Sequence, residues 1–335
     1  LFMKIMKMEL KYMGKIVYLP LEHIESRYTT HMDRDILKYL ENSDKEFIRI
    51  YPDIDSPQTL KAGSFLDAEF TIRFKAAQLA EVARLYREDV IVTGDIVWSS
   101  DLWHPGLPES IAYMNYFAKK DVRLRGLIHA GSFTDTDFVR DMERWAKNFE
   151  DTLFDIADEI YCGSDFIKND IVKKRIINPD KLVPTGFPLD TKNLDKVEKV
   201  EKENIVVFSG RNVDEKQPWL FEQLKDEFKN KDIEFINTLE HNFSKEEYYN
   251  LLGKAKVVVS FALQENFGYS IAEAVYLGCT PVLPNRLVYP EFYEEVYLYN
   301  TFEEACGNVE MAIEDYLVSP LVVRDFQESI ERWFR

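Results

Sequence analysis

The sequence predicts an α/β protein built from two doubly wound domains, each with a parallel sheet covered by helices. Apolar, β-branched runs alternate with segments of helical periodicity along both halves of the chain. A length of 335 residues is enough for two domains of ordinary size. Between the halves, residues 190–204 are strongly charged and weakly apolar, which is typical of a linker.

Composition limits the kind of protein this can be. Apolar residues make up 46% of the chain, and no run approaches the roughly 18 apolar residues that a membrane-spanning helix needs. Three scattered cysteines, at positions 162, 279 and 306, offer neither a disulfide framework nor metal-ligand spacing, so a reducing cytoplasm is expected. The net charge of -17 argues against a broadly basic nucleic-acid surface, although it is compatible with a local basic cleft.

The first strand is expected at residues 15–21, which read KIVYLPL, and a helix at 31–40. In a doubly wound domain the loop after the first strand lies at the ligand crevice. Arg27, Tyr28 and Thr29 in this region are therefore candidate acceptor-side residues. A helix start capped by Thr29 or by the next residue, Thr30, explains the same letters equally well.

The rest of the first half contains an aromatic segment, residues 95–108. Its side chains can stack on sugars or bases, or they can close the edge of a domain. The candidates within it are Trp98, Trp103 and His104. Around this segment we expect strands at 47–51, 90–93 and 122–129 and a helix at 74–86.

His129 follows the strand at 122–129. A neutral imidazole at the end of a strand can donate to a hydroxyl group or accept from it at no cost in charge. Nearby, Asp135 and Asp137 form a D-x-D triplet. This triplet can hold a metal ion in some transferases, but it precedes a helical run, so helix capping is the preferred interpretation and no metal is expected.

The second half contains the most informative stretch. A buried strand at 257–261 leads through a polar loop into a helix that starts near Tyr269 and stops at Gly278. A strand, a glycine-bearing loop and a helix present backbone N–H groups and a positive helix end to an anion. Glu265 lies before the helix and Glu273 inside it, where either could bind ligand hydroxyl groups.

The letters of this stretch, E-x-F-G-x-S-x-x-E-A-x-x-x-G-x-x-P-V, resemble the donor-binding signature of group-1 (GT4-like) glycosyltransferases of the GT-B fold. Every fixed position is filled, by Glu265, Phe267, Gly268, Ser270, Glu273, Ala274, Gly278, Pro281 and Val282. The resemblance implies two Rossmann-like domains facing a cleft. It also implies a nucleoside diphosphate sugar, linked to UDP or GDP, as the co-substrate, with no metal or other cofactor.

The resemblance also assigns roles to residues. An Arg and a Lys after the strand at 204–208 would hold the diphosphate, and this chain has Arg211 and Lys216 there. Glu265 would bind sugar hydroxyl groups, Glu273 the ribose, and His129 would orient the sugar. The remaining donor-site candidates are Gly210, Phe267, Gly268, Tyr269 and Ser270, the last three with their backbone N–H groups near the phosphates.

The domain boundaries follow from these motifs. Residues 1–12 are interpreted as a leader or extension. The acceptor-side domain is expected at 13–190, the linker at 191–203 and the donor domain at 204–320. By analogy with the family, a final helix at 321–335 would cross back to the first domain.

The reaction implied by the resemblance is transfer of a sugar to an acceptor hydroxyl group with retention at the anomeric carbon. The opening letters resemble phage-type glycosyltransferases, and residues 287–291 are similar to queuosine-tRNA mannosyltransferases. The preferred acceptor is therefore a hydroxymethylated base in phage DNA, modified in the host cytoplasm. A polysaccharide, lipid or small-molecule acceptor, a nucleotide-sugar-binding protein without activity and a nucleotide-sugar epimerase are the alternatives.

Overall fold

A computed structural model describes residues 14–24, 28–54, 67–135, 137–210, 213–314 and 326–335. Two predicted site residues, Arg27 and Arg211, lie outside these ranges, as does the expected leader at 1–12. The described chain divides into two compact units. The first comprises the described residues up to Gly163, Lys168–Thr185 and Ile330–Arg335, and the second comprises Ser164–Ile167 and the described residues from Gly186 to Ser329.

The first unit is organised around a parallel sheet, which has six strands among the described residues. The strand order is β2-β1-β3-β4-β5-β6, so the chain moves to one side of β1 and then to the other. The strands are β1 (Ile16–Leu19), β2 (Phe47–Arg49), β3 (Ile96–Ser99), β4 (Arg123–Ile128), β5 (Glu159–Cys162) and β6 (Leu182–Pro184). β1 is fully buried, as expected for a strand in the interior of such a sheet.

Helices connect these strands, as a parallel sheet requires. They are α1 (Tyr28–Glu41), α2 (Ala68–Arg87), α3 (Leu107–Ala118), α4 (Glu143–Ile156) and α5 (Asp165–Lys174), with 3-10 turns at Phe138–Met142 and Pro179–Lys181. In α2, Asp67 accepts from Phe70 N at 2.9 Å, which caps the first turn. The described residues contain no helix that is long and apolar enough to cross a membrane.

One strand of the first unit lies elsewhere than predicted. Residues 90–93 are not a strand, because Val90 N and Ile91 N both donate to Leu85 O at the end of α2, at 3.0 and 3.2 Å. The strand is β3, inside the segment that we interpreted as an aromatic loop. Its Trp98 is fully buried and packs against Tyr18 and Trp333, with ring centroids 5.7 Å away in both cases.

The second unit repeats this plan with a parallel sheet that has five described strands. Their order is β11-β10-β9-β7-β8. The strands are β7 (Glu203–Phe208), β8 (Glu234–Asn237), β9 (Ala255–Val259), β10 (Thr280–Pro284) and β11 (Leu298–Tyr299). The helices are α6 (Thr191–Leu194), α7 (Pro218–Glu227), α8 (Lys245–Lys254), α9 (Tyr269–Tyr276), α10 (Tyr289–Phe292), α11 (Phe302–Glu314) and α12 (Phe326–Trp333), with 3-10 turns at Asp214–Lys216, Thr238–Glu240 and Glu295–Tyr297.

The core of the second unit covers one face of its sheet. Alternate residues of β7 and β9, among them Phe208, Val257 and Val259, point to this face. They pack against Phe221 of α7 and Val309 of α11. Residues 191–203, interpreted as the linker, belong to this unit and begin with α6. Ile330–Arg335 belong to the first unit, where Trp333 Nε1 donates to Thr185 Oγ1 at 2.8 Å.

Candidate functional site

The site expected for the donor lies at the topological switch point of the second sheet. β7 and β9 are neighbours there, and the chain proceeds outward from them in opposite directions. In open parallel sheets, ligands bind beyond the carboxyl ends of the strands at such a point. The two loops that leave β7 and β9 are joined by a hydrogen bond, because Leu263 N donates to Glu215 O at 2.7 Å.

Lys216 and Glu265 meet where these two loops come together. Lys216 Nζ donates to Glu265 Oε2 at 3.2 Å and also to the backbone oxygen of Gln264. The two side chains are 11% and 22% exposed, so the pair is partly desolvated but still reachable. The structure therefore brings together a cation and a carboxylate that lie 49 residues apart in the chain.

The second oxygen of Glu265 is held by the backbone at the start of α9. Glu265 Oε1 accepts from Gly268 N at 2.9 Å, from Asn266 N at 3.2 Å and from Phe267 N at 3.5 Å. Burial would raise the pKa of Glu265, but Lys216 and these amide groups outweigh it, and the pKa lies below its usual value. Of the amide groups predicted to lie near the phosphates, those of Gly268, Tyr269 and Ser270, the Gly268 amide donates to this carboxylate, together with the preceding amides of Asn266 and Phe267.

Gly268 permits this arrangement. Its φ of +82° is in the left-handed region, which side chains with a Cβ adopt at a cost. From this position it caps α9 and directs the helix N-terminus toward the switch point. A Cβ there would lie 3.5 Å from Glu265 Cγ and 3.5 Å from Tyr289 Cε1, so space alone would not exclude it.

Glu273 is buried inside α9 and already has partners. Its Oε1 accepts from Tyr249 O–H at 2.9 Å and from Lys245 Nζ at 3.1 Å, both on α8. Burial, followed by the Glu273 carboxylate, raises the pKa of Tyr249, so the phenol stays protonated and donates. Sequence reasoning missed Tyr249 and Lys245, because no spacing along the chain relates α8 to α9.

The other donor candidates either contact the backbone or pack in the core of the second unit. Ser270 Oγ donates to Ser209 O at 3.4 Å, which ties α9 to the end of β7. At Gly210 an added Cβ would lie 3.7 Å from Lys216 Cγ, an ordinary contact. Phe267 is 4% exposed and packs against the rings of Phe187, Tyr269 and Phe292, so both aromatic candidates of the signature contribute to packing.

The first unit has a switch point of its own, between β1 and β3. His129, after the adjacent β4, approaches it through its Nε2, which donates to Ser100 O at 2.7 Å. Because a carbonyl can only accept, Nε2 carries the proton and Nδ1 accepts from Tyr28 O–H at 3.3 Å. Burial lowers the pKa of His129 despite the opposing effect of Asp101, so the ring is neutral.

The remaining acceptor-side candidates lie in different surroundings. Trp98 packs in the core, as described above, and has no ring face for a ligand. Trp103 is anchored, because its Nε1 donates to Glu150 Oε1 at 3.1 Å. Thr29 lies in the first turn of α1, where its Oγ1 accepts from Ile24 N at 3.2 Å, and His104 is 1% exposed.

Glu150 was not predicted from the sequence, and it fixes the loop that carries His129. This carboxylate is fully buried and accepts from Ser132 N at 2.6 Å, Ser132 Oγ at 2.9 Å and Arg175 Nε at 2.7 Å. A Cβ on Gly131 would lie 2.7 Å from Glu150 Oε1, so the backbone approaches the carboxylate closely. In the sequence Glu150 is one of many acidic residues on an amphipathic helix, and nothing marks it as buried.

The capping role preferred for the D-x-D triplet is confirmed for Asp137, whose Oδ1 accepts from Val139 N at 3.1 Å at the start of a 3-10 turn. Asp135 instead forms an ion pair with Lys174 at 2.9 Å. Among the residues that the structure describes, no group of three or more His, Cys, Asp or Glu side chains could hold a metal ion.

Comparison with known proteins supports the fold. No family model matches the chain. A segment of 84 residues is 38% identical to a Drosophila melanogaster tRNA-queuosine alpha-mannosyltransferase; it spans 25% of this chain and 21% of that relative, about a fifth of its length. Two solved structures match along nearly the whole chain at 12% identity.

The first of these structures is Anabaena HepE in complex with UDP, with a TM-score of 0.57, covering 96% of this chain and 95% of that chain. The second is the lipopolysaccharide outer core galactosyltransferase WaaB, with a TM-score of 0.58, covering 96% and 97%. The chain therefore has the GT-B fold, and the resemblance to GT-B glycosyltransferases that the signature predicted is confirmed.

Proposed function

We propose that the chain is a retaining glycosyltransferase that moves a sugar from a nucleoside diphosphate sugar to an acceptor hydroxyl group. One observation carries the proposal: Lys216, Glu265 and the amide groups at the start of α9 converge at the switch point of the second sheet. Glu265 and these amide groups lie inside the signature at 265–282, and Lys216 reaches them from the loop after β7. HepE, to which the chain is similar, was solved with UDP, which supports a nucleotide donor.

The donor would bind with its diphosphate beside Lys216. Arg211, outside the described residues, supplies the second cation that the resemblance implies. As the bond from the anomeric carbon to the diphosphate breaks, negative charge grows on the leaving phosphate, and cations placed there in advance stabilise it. Glu265, ionised because of its lowered pKa, accepts hydrogen bonds from sugar hydroxyl groups, and Glu273 accepts one from the ribose.

Transfer proceeds on one face of the sugar. The acceptor oxygen attacks the anomeric carbon from the side on which the diphosphate departs, and the acceptor proton passes to an oxygen of the leaving phosphate. One carbon–oxygen bond breaks and one forms, and because attack and departure take place on the same face of the sugar, the configuration is retained. His129 is neutral and adds no charge; to orient the sugar, as the resemblance implies, its Nδ1 exchanges the 3.3 Å bond from Tyr28 for one from a sugar hydroxyl group, while Nε2 stays bound to Ser100 O. The step needs no metal ion or other cofactor.

The acceptor that we propose is a hydroxymethylated base in phage DNA, within the host cytoplasm. Two sequence resemblances point to a modified nucleobase, and the 84-residue match to a tRNA-queuosine mannosyltransferase agrees with a nucleobase-linked hydroxyl group. A saccharide acceptor is the second candidate, because WaaB, a lipopolysaccharide galactosyltransferase, has a similar fold.

The test is product analysis with the purified protein. UDP- and GDP-linked hexoses are incubated with an oligonucleotide containing 5-hydroxymethylcytosine or with its unmodified copy. We expect a glycosylated base only on the modified strand, with the anomeric configuration of the donor by NMR. Inversion would refute front-face transfer, and transfer to saccharides alone would refute the DNA acceptor. Binding without any turnover would identify a sensor, and free sugar with an altered ring configuration an epimerase.

A further inference from the structure

Two loops at the switch point of the first sheet carry buried polar atoms without hydrogen-bond partners. Glu22 follows β1 and is 4% exposed, and His104 follows β3 and is 1% exposed. Glu22 Oε2 and both ring nitrogens of His104 are among the buried side-chain atoms of the described chain that make no hydrogen bond. A buried polar atom left without a partner destabilises the fold, so three of them beside a predicted ligand crevice call for an explanation.

Glu22 is held in place by α2. Its Oε1 accepts from Thr71 Oγ1 at 2.6 Å, and this contact fixes the carboxylate while leaving Oε2 unused. One turn further along α2, Lys75 Nζ donates to Asp101 Oδ2 at 2.9 Å and to Trp103 O at 2.7 Å. Residues four apart on a helix lie on the same face, so α2 fixes the loops after β1 and β3 side by side.

His104 is fixed by the backbone around it. Its carbonyl oxygen accepts from Leu107 N at 3.1 Å at the start of α3, and Gly106, with φ +88°, turns the chain there. Burial, followed by the nearby Lys75, lowers the pKa of His104 to about 3. The ring is therefore neutral at pH 7, with one nitrogen that can donate and one that can accept.

We propose that these two loops form a binding site for hydroxyl groups of the acceptor, with Glu22 Oε2 and the His104 ring as its hydrogen-bonding groups. The site rests on the proposed function and deepens it, since it names what the first unit recognises. A hydroxyl group can donate to the carboxylate and can both donate to and accept from the imidazole. An anionic group such as a phosphate does not fit, because Glu22 would repel it.

The melting temperature of variants distinguishes a ligand-binding site from a polar cluster that serves only the fold. A buried polar group that serves the fold is hydrogen-bonded, and its removal lowers the melting temperature. Removing polar groups whose hydrogen-bond partners come only with a ligand leaves the melting temperature level or raises it, and it weakens binding of that ligand. His104→Leu removes two unpaired nitrogens, and Glu22→Leu combined with Thr71→Val removes a carboxylate together with the hydroxyl group that binds it.

The experiment measures melting temperature and product ratio in these two variants. Each is incubated with the nucleotide sugar that the wild-type protein uses and with glycerol as the hydroxyl probe, and glycerol glycoside is compared with free sugar. We expect the ratio to fall about tenfold, as for the loss of one or two hydrogen bonds. The melting temperature should stay level or rise by about 2 °C. His241→Leu, at an exposed histidine, is the matched control and should change neither.

Each result of this experiment either supports the hydroxyl site or overturns it. A melting temperature lowered by several degrees together with a wild-type product ratio would make the cluster structural and overturn the site. Wild-type protein that releases free sugar but makes no glycerol glycoside would leave the donor site standing and overturn the hydroxyl site. If the wild-type protein consumes no donor, the proposed function fails, and the melting temperatures alone decide: a rise supports the site and a fall overturns it.

Discussion

Lys216 is the residue on which the donor site most depends. Its ammonium group reaches Glu265 and Gln264 from the loop after β7 and provides the described cation next to the amide groups that start α9. Lys216→Met should lower kcat/KM for the nucleotide sugar by about 100–1000-fold, the effect of removing one group that stabilises a developing anion. Steady-state kinetics with saturating acceptor measure this.

The matched control is Lys225→Met. Lys225 lies on α7 with its side chain 53% exposed and makes only a long surface ion pair with Glu222. An exposed pair of this kind contributes little, so its kinetics should equal those of the wild-type protein. Equal losses in both variants would mean that overall charge, rather than the site, controls turnover.

Glu265 has two roles that different substitutions separate. Glu265→Ala removes both the charge and the oxygen that accepts from the amide groups, so we expect a loss of activity and a free energy of unfolding lower by about 1–2 kcal/mol, as for a lost helix cap. Glu265→Gln keeps an acceptor for Gly268 N and should lose activity with a smaller loss of stability. Chemical denaturation of the three proteins tests this, and identical stability in all three would contradict the hydrogen bonds described for Oε1.

His104 makes the fold sensitive to acid. The pKa of His104 is about 3 in the folded state and near 6.5 in the unfolded state. Below pH ~6.5 the unfolded chain therefore binds a proton that the folded chain does not, and the free energy of unfolding falls as the pH drops toward 3. Between pH 7 and pH 5 this amounts to about 2 kcal/mol, so His104→Leu should lose less stability over that interval than the wild-type protein. Denaturant titrations at both pH values measure it, and parallel losses would show that His104 protonates freely in the folded state.

At the scale of elements, the start of α9 depends on a left-handed glycine. Gly268→Ala should lower the free energy of unfolding by about 1–2 kcal/mol, because an L-residue is strained at φ +82°. Gly307→Ala is the control, for which the change in the free energy of unfolding should have the opposite sign. Gly307 lies inside α11 with open space around it, so alanine there should stabilise by about 0.5–1 kcal/mol. Melting curves of the two variants decide, and a stabilising Gly268→Ala would contradict the described turn.

The elements themselves were predictable where periodicity and length agreed. β1 and the carboxyl-terminal parts of β7 (205–208) and β9 (257–259) are continuous apolar runs, and α9 is bounded by Gly268 and Gly278. β3 was missed because residues 90–93 look equally strand-like, and only their hydrogen bonds to the end of α2 exclude them. The acidic stretch after residue 292 also has helical periodicity, but the structure has a 3-10 turn, β11 and then α11, because pairing with β10 overrides that periodicity.

The site was predictable only as far as its motif extends. The signature located Glu265 and Glu273 correctly at the start and inside of α9. The partners of Glu273, Tyr249 and Lys245, come from another helix, and the buried Glu22 and Glu150 of the first unit come from other parts of the chain. They are brought to these positions by sheet topology, which local sequence does not reveal.

At the scale of the whole molecule, both units share one design, a parallel sheet whose switch point gathers polar side chains. The second unit gathers a cation and helix-start amide groups, which suit a diphosphate. The first gathers a carboxylate and neutral histidines, which suit hydroxyl groups. The chain has a net charge of -17, so we propose that the positive charge of Lys216 at the second switch point is what attracts an anionic donor.

The central claim, that the second unit binds a nucleoside diphosphate sugar at Lys216, is tested most directly by thermal shift with UDP, GDP, ADP and their common sugars. A ligand at 100 times its dissociation constant stabilises the native state by about 2.7 kcal/mol. The account predicts a clear rise in melting temperature with nucleotides of one base, lost in Lys216→Met and kept in Lys225→Met. No rise with any nucleotide, or an undiminished rise in Lys216→Met, would contradict it.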